Sequence, residues 1–144
     1  METENKTITV ENTVKAPVEK VWKFWTGPEH IEKWNNASDD WHTPHTENDL
    51  WVDGKFVSRM EAKDGSFGFD FGGIYDVIKE NEYIEYTIAD GRKVKVSFTS
   101  SGNETKVVET FETESTYPIE LQRGGWQVIL DSFKKYTETR LEED

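Results

Sequence analysis

At 144 residues the chain fits one domain able to bury about two thirds of its unfolded surface, and with 34% hydrophobic but 13% aromatic residues its interior is expected to be built from rings. Seventeen basic residues against 29 acidic ones give a formal charge of −12, which repels phosphate backbones and anionic lipid and argues against nucleic acid or a membrane surface as partner. The absence of cysteine excludes disulfides, thiolate catalysis and Cys-ligated zinc. No apolar run approaches 18 residues, and METENKTITV lacks the basic and apolar regions of a signal peptide, so a soluble, cytoplasmic and monomeric protein is expected.

In TITVENTV, Ile8, Val10 and Val14 alternate with polar residues, which predicts a strand with one buried face and places Asn12 on that face. APVEKVWKFWT follows, with Pro17 at a helix start and Val18, Val21, Trp22 and Trp25 on one side. Gly27 interrupts this helix and Pro28 opens a second, carrying Ile31 and Trp34. Strands are then predicted at 42–49, 54–63, 66–79, 82–89, 92–100 and 104–113. They are separated by Asp-Gly at 53–54, 64–65 and 90–91, by KENE at 79–82 and by SGN at 101–103. One face of this meander collects Phe56, Ser58 and Met60, then Ile84, Tyr86 and Ile88, then Val94, Val96 and Phe98, then Val107, Glu109 and Phe111. From Pro118, Trp126, Ile129, Leu130, Phe133 and Tyr136 recur at helical spacing. The whole of 1–144 is expected to form one domain, with 1–6 and 141–144 disordered.

A seven-stranded antiparallel sheet with one apolar face must be covered, and the C-terminal helix is the element long enough to cross it. If the sheet curls more than a helix of about 10–12 Å diameter can fill, the remaining space becomes a ring-lined pocket. Phe67, Phe69, Phe71 and Tyr75 share a parity, and Gly68, Gly72 and Gly73 permit the strand that carries them to bend toward the helix. That row of rings is either plain core or cavity lining.

VENTVKAPVEKVWKFWTGPEHIEKW resembles the opening of the START-like, helix-grip (SRPBCC) superfamily, in the branch of homologues of the heat-shock-protein-90 ATPase activator, through Ala16, Pro17, Val21, Trp22 and Trp34. The likeness continues at Asp49, Gly54 and Phe56, in DGSFGFDFGGIY and DGRKVKVSF, and closes at Gly125, Trp126, Leu130 and Phe133. Trp51 and Asp53 stand where the family pattern reads Arg-x-Gly-Gly, and Asn12 where an arginine is common. The resemblance implies an α+β fold of order β-α-α-β6-α. It also implies a cavity between sheet and long helix for a small, largely apolar ligand, and a stress-related role. The full-length chaperone activators carry a separate N-terminal domain that this chain is read as lacking.

The expected function is binding of a small hydrophobic molecule, aromatic or acyl and lipid-like, with no cofactor and no metal. Phe56, Phe69, Phe71, Tyr86, Glu109, Trp126, Leu130 and Phe133 are the candidate lining residues. Glu109 is the polar candidate, since a carboxyl in an apolar pocket shifts toward its neutral form or requires a partner; a one-residue slip of register would instead place it in water. Gly124 and Gly125 weaken the helix by about 1 kcal/mol each, which points either to tight helix-on-sheet contact or to a flexible entrance. Trp22, Trp25 and Trp34 read as core wedges, and Asp70 as solvated. DDWHTPH brings two His and two Asp together, but His42 and His45 differ by three around Pro44 and read as a surface loop rather than a metal site. There is no phosphate loop, dinucleotide glycine pattern or nucleophile elbow. The alternatives to binding are a cyclase- or hydrolase-like enzyme using Tyr86, Glu109 and a His on a ring compound, and a chaperone-associated interaction protein.

Overall fold

The computed structural model describes residues 6–36 and 38–140. The elements follow in the order β1 (Thr7–Val14), α1 (Val18–Thr26), α2 (Pro28–Trp34), β2 (Trp41–Asn48), β3 (Lys55–Ala62), β4 (Gly68–Lys79), β5 (Tyr83–Ile88), β6 (Lys93–Ser101), β7 (Glu104–Glu112) and α3 (Ile119–Thr139). This is the α+β helix-grip order expected from the sequence. Of the termini expected to be disordered, 1–5 and 141–144 lie outside the described residues; Lys6 is ordered, its carbonyl accepting a hydrogen bond from the Thr113 N–H at 2.8 Å.

The strands form one antiparallel seven-stranded sheet in the order β1-β7-β6-β5-β4-β3-β2. Turns at Asp53, Gly65, Asn81, Gly91 and Gly102 take positive φ, which the short polar or absent side chains there tolerate and which joins neighbouring strands tightly. Curvature concentrates in β4. A Cβ on Gly72 would lie 2.5 Å from the Phe56 carbonyl oxygen, and one on Gly73 2.3 Å from that of Thr87, so the flanking strands close in where only glycine fits. Past them, a bulge between Tyr75 and Val77 bends the strand further.

Helix α3 lies along the free edge of β1 and is tied to it by side chains. Gln127 donates to the Glu11 carbonyl at 3.3 Å, Asn12 to the Leu130 carbonyl at 3.1 Å, and the Lys134 ammonium to the Thr13 carbonyl at 2.7 Å. The Gln127 and Lys134 bonds occupy strand carbonyls that would otherwise offer an open edge for pairing. Asn12, where the family pattern favours arginine, thus anchors the helix, also donating to Asp131 Oδ1 at 3.1 Å. The core between helix and sheet contains Phe24, Val94, Val96, Val107, Phe111, Leu130 and Phe133, all fully buried.

Candidate ligand-binding site

The inner face is unevenly filled. Toward the C-terminal half of α3, Phe133 is met edge-on by Trp25 at 4.8 Å and by Trp34 at 5.0 Å, Trp22 and Trp25 close on Phe98, and Phe24 stacks on His30 at 4.0 Å. The buried Tyr136 hydroxyl lies 2.6 Å from His30 Nδ1, which pairs these two polar groups within the core. Toward the N-terminal half of α3 a cavity of about 410 Å³ opens between helix and sheet.

Each wall of the cavity comes from a different element. β3 supplies Phe56, β4 supplies Phe69, Phe71 and Tyr75, β5 supplies Tyr86, β7 supplies Glu109, and α3 supplies Trp126. Trp126 lies flat on Phe111, with centroids 4.0 Å apart and planes 10° from parallel, and this stack holds the indole against the wall. Phe56 meets Tyr86 edge-on at 4.9 Å and Tyr75 at 5.1 Å. Lining residues that are also exposed, Tyr117 just before α3, Leu121 in its first turn and Phe69 on β4, mark the mouth.

Glu109 is the inward-facing carboxyl of this end, only 6% exposed, so the alternative register that would place it in water does not occur. Burial pushes its pKa up to about 8, with no hydrogen bond or counter-charge opposing the shift. The phenol of Tyr86 is pushed upward by burial first and then by the neighbouring Glu109. Tyr75, also raised by burial, donates its hydroxyl to Asn48 Oδ1 at 2.6 Å.

The predicted site residues divide accordingly. Phe56, Phe69, Phe71, Tyr86, Glu109 and Trp126 line the cavity; Leu130 and Phe133, expected beside them, do not, because the adjacent rings have filled the space around that part of the helix. Phe67, expected in the same row, lies outside the strand, is 62% exposed and meets Trp41 on the surface at 5.9 Å. Trp22 and Trp34 are buried wedges as expected, and Trp25 and Trp34 also reach the cavity. Asp70 is exposed beside Arg59. At Gly124 and Gly125 an added Cβ would meet nothing within 4 Å, so tight helix-on-sheet contact is not why these glycines are there.

The sequence reading missed Gln122, which is buried and pins the 114–117 loop to α3: its Nε2 donates to the carbonyls of Glu114 at 3.0 Å and Tyr117 at 2.8 Å, and its Oε1 accepts from the Glu114 N–H at 3.0 Å. Its spacing of four residues from Trp126 on the inner stripe was the available signal. Arg92, a turn residue on the cavity wall, carried none. The histidine segment is the edge strand β2 rather than a loop, with His45 bound to Glu47 at 2.7 Å and His42 3.7 Å from Glu61. Among the described residues no group of three or more His, Cys, Asp or Glu side chains could hold a metal ion, and no helix is long and apolar enough to cross a membrane.

Comparison with known proteins places this geometry. The family model described as Activator of Hsp90 ATPase homolog 1-like protein matches residues 15–138. The solution structure of an AHSA1-like protein from Aeromonas hydrophila superimposes with a TM-score of 0.88 at 42% identity, covering 93% of each chain. A Cytophaga hutchinsonii protein does so with a TM-score of 0.81 at 57% identity, covering 96% of each. A Nitrosomonas europaea protein, 15% identical over 99% of this chain and 100% of its own, shares the fold with a TM-score of 0.82. No curated protein matches the chain. With the family model spanning all but the ends of the chain and two well-covered relatives above 40% identity, this protein belongs to the family of Activator of Hsp90 ATPase homolog 1-like proteins.

Proposed function

We propose that this protein binds a small hydrophobic molecule, aromatic or acyl in body, in the cavity between α3 and the sheet. The observation that carries the reading is the cavity of about 410 Å³, walled by rings and holding the buried carboxyl of Glu109, which has no hydrogen-bond partner among the described residues. Taking about 200 Å² of apolar ligand surface out of water is worth about 5 kcal/mol, against about 1 kcal/mol for a single hydrogen bond. The rings therefore set affinity, while Glu109 and the Tyr86 hydroxyl set orientation. A screen of two-ring aromatics and medium-chain acyl compounds, read by tryptophan fluorescence and thermal stabilisation, tests this. Hits that shift Tm and quench tryptophan emission, with the quenching reduced in Trp126→Phe, support it; a broad apolar library without a stabilising compound overturns it.

A second reading, chemistry on the bound ring, draws on one feature: burial keeps Glu109 protonated near neutral pH beside Tyr86, as a general acid requires. It predicts turnover of a bound ring compound that falls with Glu109→Gln, and binding without turnover would dismiss it.

A further inference from the structure

The ionisable groups on the cavity wall are unequally committed. Tyr75 has given its hydroxyl to Asn48, and Tyr117 stands at the exposed mouth. Arg92, the cation of the wall, is paired: its Nε donates to Asp90 Oδ2 at 2.8 Å and a terminal nitrogen to the Glu112 carbonyl at 3.4 Å. What remains on the cavity wall without a hydrogen-bond partner among the described residues is the buried Glu109 carboxyl, with the Tyr86 hydroxyl as its neighbour. An anionic head group placed there would meet a carboxyl and find its one counter-charge already engaged. A cationic head group would meet the carboxyl itself, inside a ring-lined space that favours cations over ring faces.

We infer that the cavity is selective for an amine: an apolar, aromatic-bodied molecule whose ammonium group pairs with Glu109 and Tyr86 while Phe56, Phe71 and Trp126 surround it. This rests on the cavity-binding reading and sharpens it, since binding of any apolar guest satisfies that reading whereas only preference for the ammonium satisfies this one.

The protonation of the pair follows from its surroundings. In the empty cavity Glu109 holds its proton up to about pH 8. An arriving ammonium stabilises the carboxylate, so binding expels that proton and should tighten as pH rises toward 8, then level off. The groups around Glu109 leave this sign intact. β1 and β6 place Val10 and Val96 beside it, β5 and β4 contribute Tyr86 and Tyr75 with phenols raised by burial, α3 contributes the neutral Gln122 and Trp126, and the guanidinium of Arg92 is engaged with Asp90 and the Glu112 carbonyl.

The test compares three probes sharing one body, 4-phenylbutylamine, 4-phenylbutan-1-ol and 4-phenylbutyrate, titrated into the wild-type protein at pH 6, 7 and 8 and followed by chemical shifts of the cavity residues. The inference expects the amine to bind about tenfold or more tighter than the alcohol at pH 8, the carboxylate to bind weakest, and the amine's advantage to shrink toward pH 6. Glu109→Gln should bring the amine down to the level of the alcohol and abolish the pH slope. Alcohol or carboxylate binding as tightly as the amine at pH 8, or an amine affinity flat with pH in the wild type, overturns the inference and leaves the cavity reading standing. Failure of all three probes to shift cavity residues overturns both.

Discussion

The two ends of the space under α3 are built from the same sheet, the same helix and the same kinds of ring, yet one is solid and the other hollow. At the solid end Phe133 meets Trp25 and Trp34 edge-on within 5.0 Å, and Tyr136 closes on His30. At the hollow end Phe71 and Trp126 meet edge-on at 6.3 Å and, with Phe56 and Tyr86, wall a cavity of about 410 Å³. The difference follows the anchoring of the helix. From Gln127 to Glu138, α3 is hydrogen-bonded to β1 and to Lys15 just beyond it, with Ser132 also donating to the Trp34 carbonyl; the turns before Gly124 are held by Gln122 to a loop. A pocket arises here because a stiff helix is fastened along only part of a sheet that goes on curving.

The largest effect that could break this comparison is a truncation at each end. Phe133→Ala removes a fully buried ring from the solid end and is expected to cost about 3–5 kcal/mol in urea denaturation. Phe71→Ala, half-buried beside space that is already empty, should cost about 1 kcal/mol, since little new cavity is created. Equal costs would mean the hollow end is packed in solution.

Next is the pH response of the hollow end. Folding takes up a proton on Glu109 between its unfolded pKa of 4.5 and its folded value of about 8. This contribution to stability is therefore full below about pH 4.5 and is lost at up to about 1.4 kcal/mol per unit as pH rises to 8. Glu109→Gln should flatten that limb when Tm is measured across pH; a wild-type profile that climbs from pH 5 to 8 would contradict the burial of the carboxyl. The smallest effect concerns Gly125. With open space where its Cβ would be, Gly125→Ala should stabilise the helix by about 0.5–1 kcal/mol, and slower association of an apolar probe in stopped-flow would identify the glycine pair as the hinge of the mouth.

The fold was legible because each local signal agreed with its neighbours. Alternation set which face of every strand was buried, Asp-Gly turns set where strands ended, and the stripe from Trp126 to Tyr136 set the covering helix. The site was legible as a face but not as a depth. Parity placed Glu109, Tyr86, Phe69 and Phe71 inward correctly, yet it cannot tell that Phe133, two helical turns beyond Trp126, is locked among Trp25 and Trp34. Nor could it show that Phe67 precedes the start of β4 and turns outward to Trp41. Those outcomes depend on how far the sheet curls, which is decided by carbonyl approaches at Gly72 and Gly73 rather than by any periodic pattern.

The most direct test of the central claim is a benzene titration monitored by the ring resonances of all aromatic residues in the wild-type protein. Saturable shifts at Phe56, Phe71 and Trp126, with Phe24, Phe98 and Phe133 unmoved, are predicted for one hollow end beside one solid end. Shifts spread equally over both groups, or none at either, would contradict it.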